Sequence, residues 1–115
     1  MFSTVDYLDL AKKTQKYEKD AELARALGVS RPCISEHRKR RYGMTNETAV
    51  KVAALAKIDP VQVLIAVNIE RAKSVEEREA WKRLAIWAHL HRNEIARGMG
   101  EEQRLTEKAG IEGGN

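Results

Sequence analysis

Apolar and small side chains recur at spacings of three and four along the chain, with polar and charged residues between them. That period presents one face of an α-helix to a core, and it predicts an all-α protein. The first helix is expected to start near Ser3 or Thr4, with Asp6 beside its positive end, and to turn Tyr7, Leu10, Ala11 and Thr14 inward, widened by Leu8. Between Asp20 and Lys39 the spacing changes to that of two short helices crossing steeply. Leu23 and Leu27 make one apolar stripe, and Ala24 beside it leaves room for the second helix. Gly28 sits where the chain must reverse through a left-handed conformation that costs glycine nothing. Val29 can plug the core, Ser30 can cap the next helix, and Pro32 falls in a first turn whose N–H groups lack partners anyway. Ile34 and His37 then point inward, and Arg31, Ser35, Arg38 and Lys39 outward.

A polar loop, Arg40-Arg41-Tyr42-Gly43-Met44, leads to a helix capped by Thr45 or Asn46 and carrying Ala49, Val52, Ala53 and Ala56. Ile58-Asp59-Pro60 is a sharp boundary, because Asp59 can cap and Pro60 suits a first helical position. The helix after it turns Val63, Leu64, Ala66 and Val67 inward. Ser74-Val75-Glu76-Glu77 reads as a capping box opening the longest helix, which is expected to run to about Arg97. Its apolar residues form two displaced stripes. Val75, Trp81, Leu84, Ala85 and Ala88 are expected to close on the preceding helices, whereas Trp87, Leu90, His91 and Ile95 require a partner, a dimerisation surface for a second copy of the chain. From Gly98 to Asn115 the glycines and alternating charges offer little to bury, and the reading is a mobile tail. The expected organisation is therefore a domain over 1–73, a dimerisation helix over 74–97 and a tail over 98–115.

The run Leu23-Ala24, Leu27-Gly28-Val29-Ser30 and Ile34-Ser35 resembles the DNA-binding helix-turn-helix of the Cro and CI-type phage regulators. The downstream stretch LAKIDPVQVLIAVNIERAK is similar to small regulators of filamentous phages and prophages, so the resemblance covers roughly the first two-thirds of the chain. It implies a five-helix domain whose second motif helix enters the DNA major groove, and a repressor or Cro-like activity on double-stranded operator DNA. One departure limits it. Many members of the family carry Gln where this chain has Pro32, and that Gln often reads adenine; Pro32 cannot, so no base code carries over.

Composition sharpens this picture only in its distribution. Across 115 residues the net charge is +4, with 33% charged and 5% aromatic side chains, which suits one small helical bundle. Between Arg31 and Arg41 there are five basic residues against one acidic, whereas from Gly98 onward acids exceed bases. Charge therefore gathers on the proposed recognition element. Ser30, Arg31 and Ser35 are the expected contacts at its start and middle, with Arg31 the best placed for guanine. Arg38, Lys39, Arg40 and Arg41 are placed where phosphates pass, although a run of charge also reads as a solvated patch.

Other chemistry finds little footing. Cys33 is the single cysteine, which excludes an internal disulfide and is compatible with a reducing cytoplasm, the expected location. Cys33 and His37 share a helix face, but no second ligand pair accompanies them, and a core-edge role fits better than metal. His89 and His91 are two apart and diverge on a helix. Ser35, Glu36 and His37 diverge likewise and make no triad, so neither an enzyme nor a cofactor is expected. No signal peptide or membrane span is readable. Two alternatives to a regulator stay open: an antitoxin whose tail folds on a toxin partner, and a protein-interaction module whose basic helix grips an acidic protein.

Overall fold

The computed structural model describes residues 2–39 and 43–94. Among them the chain is all-helical, with α1 (Thr4–Thr14), α2 (Asp20–Leu27), α3 (Arg31–Arg38), α4 (Asn46–Ala56), α5 (Pro60–Arg71) and α6 (Val75–Leu90). Local chemistry accounts for most of the helix starts. Ser3 accepts the Asp6 N–H while the Asp6 carboxylate accepts the Ser3 N–H at 2.8 Å, a reciprocal capping box. Ser30, Thr45 and Asp59 cap α3, α4 and α5 by accepting N–H groups of Cys33, Thr48 and Val61. The Ser74 hydroxyl accepts the Glu77 N–H at 3.0 Å, as a cap before α6 should. At α4 the cap is Thr45. Asn46 has another task, its side-chain oxygen accepting from Asn68 at 3.0 Å and Arg71 at 3.3 Å and so tying the start of α4 to the end of α5.

The core draws on five helices. Tyr7, Leu8 and Ala11 of α1, Leu23, Ala24 and Leu27 of α2, Ile34 of α3, the Ala49, Val52, Ala53 and Ala56 face of α4, and Val63, Ala66 and Val67 of α5 are all buried together. Both α1 and α5 pack on α4, whose run of alanines lets their backbones come close. α2 packs on α3, and both touch α1.

Three details depart from the periodic pattern. Met44, placed by its neighbours in a polar loop, is 1% exposed and part of the core. Ile65 is buried on α5 although its position falls outside the Val63/Val67 face. On α1, Leu10 and Thr14 are only half-buried, while Thr4 is buried. The Thr4 N–H and hydroxyl both donate to the Glu70 carboxylate, the N–H at 3.0 Å, so the start of α1 is anchored against the end of α5.

α6 carries no buried residue. Val75 and Leu84 are exposed and Trp81, Ala85 and Ala88 half-buried, so the stripe expected to close on the preceding helices is not enclosed. The chain divides into Met1–Lys82 and Arg83–Asn115, a boundary within α6 and not before it. The backbone turns at His91 and is helical again over 92–94. The expected helix end near Arg97, Ile95, the tail over 98–115 and the loop residues Arg40 and Arg41 lie outside the described residues. No helix among the described residues is long and apolar enough to cross a membrane.

Left-handed backbone follows three of the described helices, at Lys16 (φ 60°) after α1 and at two ends of opposite suitability, Gly28 and Lys57. Gly28 has φ 72°, and Lys57, which ends α4, has φ 58°. A Cβ at Gly28 would meet only the Lys51 ammonium, at 3.8 Å, so crowding is not the obstacle; the backbone conformation is. Gly28→Ala is expected to cost about 1–2 kcal/mol, and Lys57→Gly to gain about 0.5–1 kcal/mol, both read from urea midpoints. Equal effects of the same sign would contradict this account.

Candidate functional site

α3 is eight residues long, too short to persist alone, and its position is set by what surrounds it. At its start, Gly28 reverses the chain, Val29 packs against the core, and the Ser30 hydroxyl accepts the Cys33 N–H at 3.2 Å. Ile34 at 0% and His37 at 4% exposure form the inward side. The Cys33 sulfur lies 3.4 Å from His37 Nε2 at the edge of that side. Among the described residues no group of three or more His, Cys, Asp or Glu is placed to hold a metal ion.

The outward side carries Arg31, Pro32 and Lys39, all exposed, with Ser35 and Glu36 half-buried. Arg31, Ser35 and Lys39 follow one another at spacings of four and line one side of the helix. Ser30 is exposed as well, though its hydroxyl already serves the cap. Within the described residues neither the Arg31 guanidinium nor the Lys39 ammonium is engaged by a protein acceptor.

Arg38 is different. The sequence groups it with the outward cations, but its side chain runs back across the other two helices. Its Nε and one terminal nitrogen donate to the two oxygens of Asp20, each at 2.9 Å, and the other terminal nitrogen donates to Asp9 at 2.7 Å. Asp20 also receives Lys12, at 3.2 Å. The four side chains join α1, α2 and α3 and sum to zero charge. The hydrogen bonds from Arg38, aided by Lys12 and opposed by partial burial, hold the Asp20 carboxyl below its usual range. The bonds that the Arg38 guanidinium donates to Asp20, and then to Asp9, in turn push its pKa up against its partial burial.

A carboxyl with a depressed pKa in the folded state takes up its proton later than in the unfolded chain. Its contribution is therefore complete above the unfolded value, about 3.9, and is lost as pH falls through the lower folded one. Asp20→Asn is expected to be less stable than the parent at neutral pH and to lose less stability between neutral pH and pH ~3. Urea titrations at several pH values read this; parallel curves for the two proteins would place the acid response elsewhere.

The sequence reading missed Asp9 and Asp20 as partners of α3. It also overlooked exposed positive charge N-terminal to the motif. Lys13 at the end of α1 and Lys16 and Lys19 in the segment that leads into α2 are all exposed.

The residues expected to dimerise are described only in part. Trp87 is 50% and Leu90 70% exposed, and the Trp87 and His91 rings stack with centroids 4.5 Å apart. His91 Nδ1 lies 2.8 Å from the Trp87 carbonyl oxygen, within their own helical turn. Ile86, which neither expected stripe included, is 62% exposed. No protein-family model, curated protein or solved structure matches this chain.

Proposed function

We propose that this protein is a sequence-specific DNA-binding transcriptional regulator, a Cro/CI-like helix-turn-helix protein of phage or prophage type. In this reading α1 to α5 form the five-helix domain, α2–α3 is its helix-turn-helix, and α3 lies in the major groove. It works in the cytoplasm on double-stranded DNA and performs no catalysis. The observation that carries the reading is the exposed Arg31 guanidinium, without an acceptor among the described residues, directly after the Ser30 cap on a helix whose opposite side is buried. An arginine so placed can donate two parallel hydrogen bonds to O6 and N7 of guanine. Lys39, along the same side, suits a phosphate or a base edge.

The protein is further proposed to act as a homodimer on a pseudo-palindromic operator, with recognition helices about one DNA turn, ~34 Å, apart. Support comes from Leu84, Ile86, Trp87 and Leu90, all exposed within two turns of α6 that carry no charged side chain. Soluble monomers rarely leave such a patch open. Trp87→Ala is expected to raise the dimer dissociation constant about tenfold or more with the helical signal retained. Sedimentation equilibrium decides it: a monomeric parent at tens of micromolar removes the dimer from the proposal.

The test of DNA reading is selection of bound fragments from a random duplex pool and from genomic DNA, followed by sequencing. Enrichment of one pseudo-palindromic site, with affinity falling steeply as salt rises, is the expected result. Failure to enrich any sequence at low salt rejects it.

A further inference from the structure

We propose that Arg38 contacts no DNA and is instead a positioning residue, which with Asp20 and Asp9 fixes the angle at which α3 presents Arg31, Ser35 and Lys39. This rests on the DNA-binding reading above and names what controls the specificity of that same surface.

The geometry separates Arg38 from the other cations of the motif. Each of its three nitrogens donates to a carboxylate, two in the paired fork on Asp20 and one on Asp9. Three of its five N–H groups, the paired fork among them, are already taken by carboxylates, so a phosphate could take the whole group only by breaking the brace, and otherwise meets just the second N–H of each terminal nitrogen. The network is also electrically balanced by Lys12, so it offers phosphate no net attraction. Arg31 and Lys39 stand in contrast, exposed and without an acceptor among the described residues.

The position of Arg38 explains why such a brace is useful. The Ser30 cap and Val29 hold the start of α3, and Ile34 and His37 hold its middle. Arg38 is its last residue, and there the helix gains polar ties to both α1 and α2. An apolar contact at Ile34 leaves a short helix free to pivot; directional bonds at its end remove that freedom. Base readout depends on that angle, because two parallel hydrogen bonds to a guanine tolerate little misplacement, while phosphate attraction tolerates much.

The experiment compares affinity for the selected operator with affinity for random duplex, on full-length variants that keep the parent helical signal and a cooperative melt. Arg38→Ala is expected to cut the operator-to-random ratio about tenfold, with random-duplex affinity near that of the parent. Arg38→Lys, which keeps the charge and loses the fork, is expected not to restore the ratio. Asp20→Asn supplies the decisive sign. Removing a negative charge beside DNA should tighten all binding if charge alone matters; loss of the brace should weaken operator binding while random binding holds or rises. Asp9→Asn, at the more exposed end of the network, is the milder variant should Arg38→Ala fail to fold, and is expected to move the ratio in the same direction.

The proposal is overturned if Arg38→Ala weakens operator and random duplex alike and makes the salt dependence shallower, or if Arg38→Lys restores binding, because Arg38 would then be a phosphate contact. Tighter binding of both duplexes by Asp20→Asn overturns it too. A parent chain that enriches no sequence rejects the DNA reading and this role with it. A parent that binds its operator, with variants whose ratio does not move, rejects the positioning role alone.

Discussion

Ile34→Ala is expected to remove about 2–5 kcal/mol of folding stability, a large share of the roughly 5–15 kcal/mol that holds a typical small domain together. Ile34 is 0% exposed and belongs to the same core as Leu8, Leu23 and Val52. It is the one apolar residue by which α3 enters that core, since the neighbouring inward residue is His37. Truncation leaves a cavity that α3 cannot close without tilting, and tilting strains the Arg38 fork on Asp20. Ile34→Val, which keeps the branched body of the side chain, should cost only about 0.5–1.5 kcal/mol. Urea unfolding followed by circular dichroism reads both values. A loss below that of the valine variant would mean that α3 is held mainly by its polar ties. DNA binding by Ile34→Ala should fall on every sequence, in proportion to the folded fraction.

Arg31→Ala should do the reverse: leave stability nearly untouched and relax sequence discrimination. The side chain is exposed and has no acceptor within the described residues, so its loss breaks nothing in the fold. The expected cost is about 1–3 kcal/mol on the operator, roughly 5- to 150-fold, and little on random duplex. Selection repeated with the variant should show relaxed preference at one base pair in each half-site and the parent preference elsewhere. Lys39→Ala is the internal comparison, expected to weaken all sequences similarly and reduce the salt slope by about one if it meets phosphate. Equal losses on operator and random duplex for Arg31→Ala would make Arg31 a phosphate contact as well.

The helices themselves were readable with little ambiguity. Capping needs a hydroxyl or carboxylate within three residues of the N–H it serves, so Ser3, Ser30, Asp59 and Ser74 announce their helix starts in one dimension. The same holds for Gly28, whose left-handed backbone follows from the need to end α2 and begin α3 within three residues. The inward residues Leu23, Leu27, Ile34, Val52, Val63 and Val67 follow from the helical period, and all are buried. Where the pattern was silent, packing chose: Thr45 over Asn46 as the cap, because Asn46 faces Asn68 and Arg71 on α5, and Met44 as a core residue despite its polar surroundings.

The roles of like charges are of another kind. Arg38 and Lys39 are indistinguishable as sequence, adjacent cations that the helical period turns outward together. Asp20 lies eighteen residues before Arg38 and Asp9 twenty-nine, and no local rule brings carboxylates at those separations to one guanidinium. Only the crossing of α1, α2 and α3 does so, and it thereby withdraws Arg38 from the free cations while leaving Arg31 and Lys39 among them. Period, caps and turns are short-range consequences of backbone geometry and survive reading along a line. Which of several equal charges is held and which is offered depends on distances across the fold, and there the tertiary structure alone decides.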